Sequence, residues 1–121
     1  MNSFATLYDY LIQKNGATET FPFGEDVLVM KVMGKIFALL PLDETPTRIS
    51  LKCDPARALE LRAQYDAIAP GYHMSKQHWN TLTVDGRLPV SLVLELIDHS
   101  YSLVVASLKK ADRLALEHTQ S

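Results

Sequence analysis

The dipeptide Met33-Gly34 constrains this chain more than any other feature. Residues 27–33 and 35–40 read as two strands, and Met33-Gly34 forms a tight hairpin between them, with Gly34 able to take the positive φ that such a turn demands. A two-residue turn there pairs Val32 with Lys35, Lys31 with Ile36 and Met30 with Phe37. One face then carries Leu28, Met30, Phe37 and Leu39, and the other Val29, Lys31, Ile36 and Ala38. Lys31 marks the second face as only partly buried.

The remaining elements follow from periodicity and punctuation. In residues 3–15, Phe4, Leu7, Tyr8, Leu11 and Ile12 recur at helical spacing, with Gly16 as the stop. Phe21-Pro22-Phe23-Gly24 reads as a turn with aromatic anchors, and residues 41–46 as a loop. Residues 48–53 alternate cleanly, with Ile49, Leu51 and Cys53 inward and Arg48, Ser50 and Lys52 outward. Asp54-Pro55 opens a helix to about residue 65, Asp as N-cap and Pro in the first helical position. A short extended piece follows Pro70-Gly71, and a strand at 79–84 closes at Asp85-Gly86. A helix over 89–108 has apolar positions that sweep roughly 220° of arc at helical periodicity. A surface helix needs only about 100°, so this one packs on two sides or lends one side to another chain. The polar tail from 109 is expected to fray. The order α-β-β-β-α-β-β-α predicts an α+β two-layer domain: a mainly antiparallel sheet with helices on one face, spanning residues 1–110, with a tail at 111–121.

Composition narrows the function classes. The chain has 121 residues, 47% of them hydrophobic and 21% charged, which suits one soluble domain. A formal charge of −2 gives no global field for nucleic acid. The balance is uneven, with a net +2 over residues 31–87 between two acidic ends. Cys53 is the single cysteine, so no intrachain disulfide forms and a reducing compartment is expected. The N-terminus has no signal-peptide pattern, and no apolar run nears the ~20 residues of a membrane helix. A cytoplasmic location without membrane contact is the expectation.

The run from Pro70 to Thr81 gathers the only Trp, two of four His, a Tyr and a Lys. That mixture is costly to bury whole and points to recognition rather than catalysis. Asp98-His99-Ser100 spells a triad only in letters, because consecutive helix residues point ~100° apart. Cys53, His73 and His78 match no zinc spacing. The scattered glycines form neither a P-loop nor a dinucleotide pattern, so no metal or cofactor is expected. Lys31 and Lys35, with Arg48 and Lys52, are the best phosphate-contacting candidates, set against the ordinary role of strand lysines in keeping edges soluble. Trp79, with His78 and Tyr72, suits either base stacking or the anchoring of a core.

The string of motifs resembles the MmcQ/YjbR family of small bacterial proteins. The resemblance rests on Phe21-Pro22-Phe23-Gly24, the 31–38 hairpin, Leu51-Lys52-Cys53-Asp54-Pro55, Pro70-Gly71-Tyr72-His73-Met74, Lys76-Gln77-His78-Trp79-Asn80-Thr81 and Ile97-Asp98-His99-Ser100-Tyr101, in that order. It implies an α-β(3)-α-β(2)-α fold and DNA binding by a "double wing" of β-hairpins. Carried onto this chain, one wing is 27–40 with Lys31 and Lys35, and the other 72–84 with Lys76, His78 and Trp79. The resulting expectation is a non-catalytic DNA-binding protein that contacts phosphates through Lys31, Lys35, Arg48, Lys52 and Lys76, with His78 or Trp79 stacking. The second reading is a protein-interaction or chaperone-like homodimeric module. The third is an enzyme with a pocket around Tyr72, His73, His78 and Asp98.

Overall fold

The computed structural model describes residues 4–71 and 75–118. In chain order the elements are α1 (Phe4–Ile12), β1 (Ala17–Thr20), β2 (Val27–Val32), β3 (Lys35–Pro41), β4 (Thr47–Lys52), α2 (Pro55–Gln64), β5 (Ile68–Pro70), β6 (Trp79–Val84), α3 (Val90–Ala106) and α4 (Lys110–His118). The strands form one six-stranded sheet in the order β1-β2-β3-β4-β6-β5, and every neighbouring pair is antiparallel. The expected α+β two-layer architecture holds.

Strand alternation sorts the side chains into two faces. Leu28, Met30, Leu40, Ile49, Leu51 and Leu82 share one core with Leu7 and Leu11 of α1, Ala58 and Leu61 of α2, and Val93, Leu96, Ile97 and Val104 of α3. The other face carries Val29, Lys31, Leu39, Arg48, Ser50, Lys52, Trp79, Thr81 and Thr83, as the strand register requires.

The hairpin turn forms as its sequence predicts. Met33 and Gly34 have φ of 49° and 81°, the two positive values that match the strand twist in a two-residue loop. Val32 pairs with Lys35 and Lys31 with Ile36. The register then shifts between Met30 and Lys31, so Met30 faces Ala38 rather than Phe37. This bulge corrects the expected faces. Phe37 and Ala38 are both buried in the core, while Leu39 sits across from Ser50 on the other face.

β3 and β4 pair over a short stretch. Their ladder registers only at Ala38–Leu51 and Leu39–Ser50. Beyond it, the hydroxyl of Ser100 in α3 enters the gap. The Lys52 N–H donates to Ser100 Oγ (2.9 Å), which in turn donates to the Phe37 carbonyl (2.6 Å). A helix side chain thus replaces a missing ladder bond and fastens α3 to the sheet.

Three further elements differ from expectation. β1 adds an edge strand that polar Ala17-Thr18-Glu19-Thr20 did not signal. The strand preceding β6 lies at Ile68–Pro70, before Gly71 rather than after it. The segment expected to fray is a helix over Lys110–His118, held by buried Leu116, whose carbonyl accepts from Asn15 Nδ2 at 2.9 Å. The wide apolar arc of α3 is accounted for inside the chain, because the helix packs on the sheet and on α1. Tyr101 donates to the Asn15 carbonyl (2.6 Å) and its ring meets Phe37 edge-on. None of the helices formed by the described residues is long and apolar enough to cross a membrane.

Candidate functional site

The face away from the helices is the surface left for function, and cross-strand register arranges it in rows. A middle row runs Val29, Leu39, Ser50, Thr81 and Ala69. One step along the strands, toward the Met33-Gly34 turn, Lys31 is paired with Ile36 and Lys52 with Trp79. Lys31 on β2 and Lys52 on β4 are two strand spacings apart, about 10 Å across the sheet. Neither forms an ion pair among the described residues, whose four salt bridges are Lys14–Asp98, Arg48–Glu44, Arg57–Glu95 and Arg87–Asp85.

The other expected cations divide. Lys35 does not join Lys31. Its strand partner Val32 lies in the core, and its Nζ donates to the Ser107 carbonyl at the end of α3 (3.2 Å), where a cation complements the carbonyl end of the helix. Arg48 is on the right face but at its far end, four residues from Lys52 and roughly 13 Å along the strand, and it is paired with Glu44 at 3.4 Å. Lys76 and His78 are exposed in the segment that leads into β6. The expected basic plane therefore reduces to Lys31 and Lys52, while Lys76 and His78 stand in the adjoining loop, where Arg62 of α2 holds the Lys76 carbonyl.

Trp79 is not a free stacking platform. It is only 8% exposed, and a Cβ on Gly71 would lie 2.5 Å from its own Cβ. The Gly71 N–H donates to the Trp79 carbonyl at 2.7 Å, so the backbone passes directly against the residue. Of the two readings for Trp79, the anchor is the one this packing satisfies.

Much of what the motifs contain is fastening. Arg62, in the last turn of α2, donates from Nε to Asn80 Oδ1 (2.6 Å) and from Nη2 to the carbonyls of Lys76 and Trp79. The Cys53 N–H donates to the His78 carbonyl (2.7 Å). The role of Arg62 is not evident in the sequence, because an arginine late in a helix carries no signal of which loop it will hold. Asp98 accepts from Tyr10 (2.8 Å) and from Lys14 of the α1 end. His99 Nε2 accepts from the Asp54 N–H at the start of α2 (3.2 Å). Asp98, His99, Ser100 and Tyr101 thus tie α3 to α1 and the loop after it, to the start of α2 and to the sheet, and no hydrogen-bonded relay runs among them. His78 and Asp98 are engaged with separate elements; Tyr72 and His73, also named for a catalytic pocket, lie outside the described residues.

Electrostatics follow these contacts. Burial pushes His99 below the usual histidine range, with the Arg57 guanidinium adding to the effect and the backbone bond to Nε2 requiring the neutral ring. The bond from Arg57 holds Glu95 below its ordinary value. Burial raises the Cys53 thiol, which stays protonated as a small core residue.

At the far end, the loops at 21–26 and 42–46 rise beside the sheet and are joined by a bond from the Leu42 N–H to the Asp26 carbonyl (2.8 Å). Between them and the floor lies a hollow of ≈ 890 Å³.

Layering and strand order define an α+β domain whose antiparallel sheet turns one face away from the helices. The chain belongs to the YjbR family, whose model matches residues 12–103. It is 32% identical over 114 residues to the uncharacterized protein YjbR of Escherichia coli K12, covering 94% of this chain and 97% of the relative. Identity to the uncharacterized protein YbdF of Escherichia coli O157:H7 is 39% over 93 residues, covering 77% of this chain and 76% of the relative. Among solved structures, Deinococcus radiodurans protein DR2400, a DUF419 domain, superposes with a TM-score of 0.89 at 40% identity, covering 95% of this chain and 88% of that one. A Pseudomonas syringae protein gives 0.70 at 28%, covering 83% and 97%.

Proposed function

We propose that this protein binds DNA through its phosphates, at the turn end of the open sheet face, with Lys31 and Lys52 as the principal contacts and Lys76 and His78 assisting from the adjoining loop. The observation that carries the reading is the register that sets two lysines without ion-pair partners in one row, flanking Ile36. Carboxylates on the neighbouring strand β1 do not oppose them, because Glu19 points to the helix side and accepts from Tyr8 (2.5 Å). Lysines spaced this way reach separate phosphates and carry no base information, so the binding is sequence-tolerant. The proposal narrows the wing picture: Lys35 and Arg48 drop out because each already has a partner, and Trp79 serves the site by positioning Lys52 rather than by stacking.

Fluorescence anisotropy with a short duplex tests this. Lys31→Ala with Lys52→Ala is expected to weaken binding at least tenfold on every sequence, whereas Lys35→Ala leaves it within twofold. If the Lys35 variant loses as much as the double variant, the assignment of the face is wrong. If neither changes affinity, this surface does not contact DNA.

A further inference from the structure

We infer that the hollow at the far end of the open sheet face is a separate site for a small aromatic cation. This goes beyond the DNA reading and does not depend on it. The floor comes from the strands: Val27, Leu39, Pro41, Ser50, Ala69, Thr81 and Thr83 all line the cavity. Ser50 and Thr81 hydroxyls are joined at 2.8 Å, so the centre of the floor satisfies itself internally and presents a largely apolar surface. The wall is aromatic. Phe23 lines the cavity and is 64% exposed, an exposure that costs hydration free energy in the empty protein and is relieved by a flat ligand.

The charge of the lining decides the sign of the ligand. Asp43, Glu44 and Arg48 are the ionisable groups among the described lining residues. Glu44 and Arg48 pair with each other, which leaves Asp43 on the rim as the uncompensated charge. A phosphate or sulfonate entering here meets a net negative lining. An ammonium or planar cationic ring gains Asp43 and the face of Phe23, the arrangement that favours cations over aromatic rings. A volume of ≈ 890 Å³ falls within the roughly 300–1,000 Å³ of small-molecule sites. Size, apolar floor, aromatic wall and rim charge select the same class of ligand.

The test uses two probes with one ring system and opposite charge, naphthylmethylammonium and naphthylmethanesulfonate, followed by amide shifts in NMR titrations of the full chain. The expected result is saturable shifts at Leu39, Ser50 and Thr83 with the ammonium probe. Its affinity should exceed that of the sulfonate by about fivefold, the upper end of what an exposed charge pair contributes. Asp43→Asn, on an exposed loop, should close that gap while leaving the spectrum otherwise folded, and Thr83→Arg should abolish binding of the cation. Equal affinities for the two probes, absence of saturable shifts at those residues, or an Asp43→Asn protein that keeps the preference each overturn the proposal.

Discussion

Replacing Ser100 with Ala removes one oxygen and orphans two backbone groups. Ser100 is fully buried, and its hydroxyl links the Lys52 N–H to the Phe37 carbonyl. A buried polar group left without a partner costs roughly 1–3 kcal/mol, so the pair sets an upper range of about 2–6 kcal/mol. Partial closure of the β3–β4 gap recovers some of it, because the two orphaned groups are complementary. The expected loss is about 3 kcal/mol, within the usual span for broken buried networks. With a urea m-value of roughly 1.5 kcal/mol/M for a domain of this size, the midpoint falls by about 2 M at unchanged slope. Equilibrium urea unfolding followed by circular dichroism measures this directly. A loss below about 1 kcal/mol would show that the strands close on their own and that the hydroxyl is not the fastener described here.

The remaining predictions concern charge and close packing. His99 is held below the usual range by burial, so the unfolded chain binds its proton first as the pH falls. Its contribution to stability is complete above the unfolded value near 6.5 and is lost as pH drops toward the folded value. His99→Gln should flatten the decline in melting temperature between about pH 7.5 and 5, and an unchanged slope would assign that acid sensitivity elsewhere. Gly71→Ala places a methyl group 2.5 Å from Trp79 Cβ. It should therefore cost about 1–3 kcal/mol as an overpacking change and shift the tryptophan emission; a silent variant would mean that the 71–79 segment yields freely.

What was legible in the sequence was what local chemistry dictates. Met33-Gly34 announced its turn, Asp54-Pro55 its helix start, with Asp54 capping Arg57 N–H at 3.1 Å, and the alternation at Arg48 to Lys52 its strand. The bulge at Phe37 was not legible, since an added residue in one strand is fixed by tertiary contact, here by the incoming Ser100 hydroxyl. That single shift misplaced Leu39 and Ala38. β1 is not evident in the sequence because an edge strand of four residues, none of them fully buried, needs no apolar pattern, and α4 because one buried leucine suffices to dock it. For the candidate site, the residue types were readable, and the pairing of Val32 with Lys35 and Lys31 with Ile36 already sets the two lysines on opposite faces. What local pattern does not carry is that Lys35 is then held at the Ser107 carbonyl, a contact between residues far apart in sequence.

The salt dependence of DNA affinity decides whether the turn end of the sheet face contacts phosphates. If Lys31 and Lys52, with help from Lys76, neutralise two to three phosphates, log K against log salt has a slope of about −2 to −3. Affinity for a short duplex then falls roughly 12- to 40-fold between 50 and 200 mM salt, and each lysine removed flattens the slope by about 0.9. A flat profile, or a steep one that survives loss of both lysines, would contradict the account.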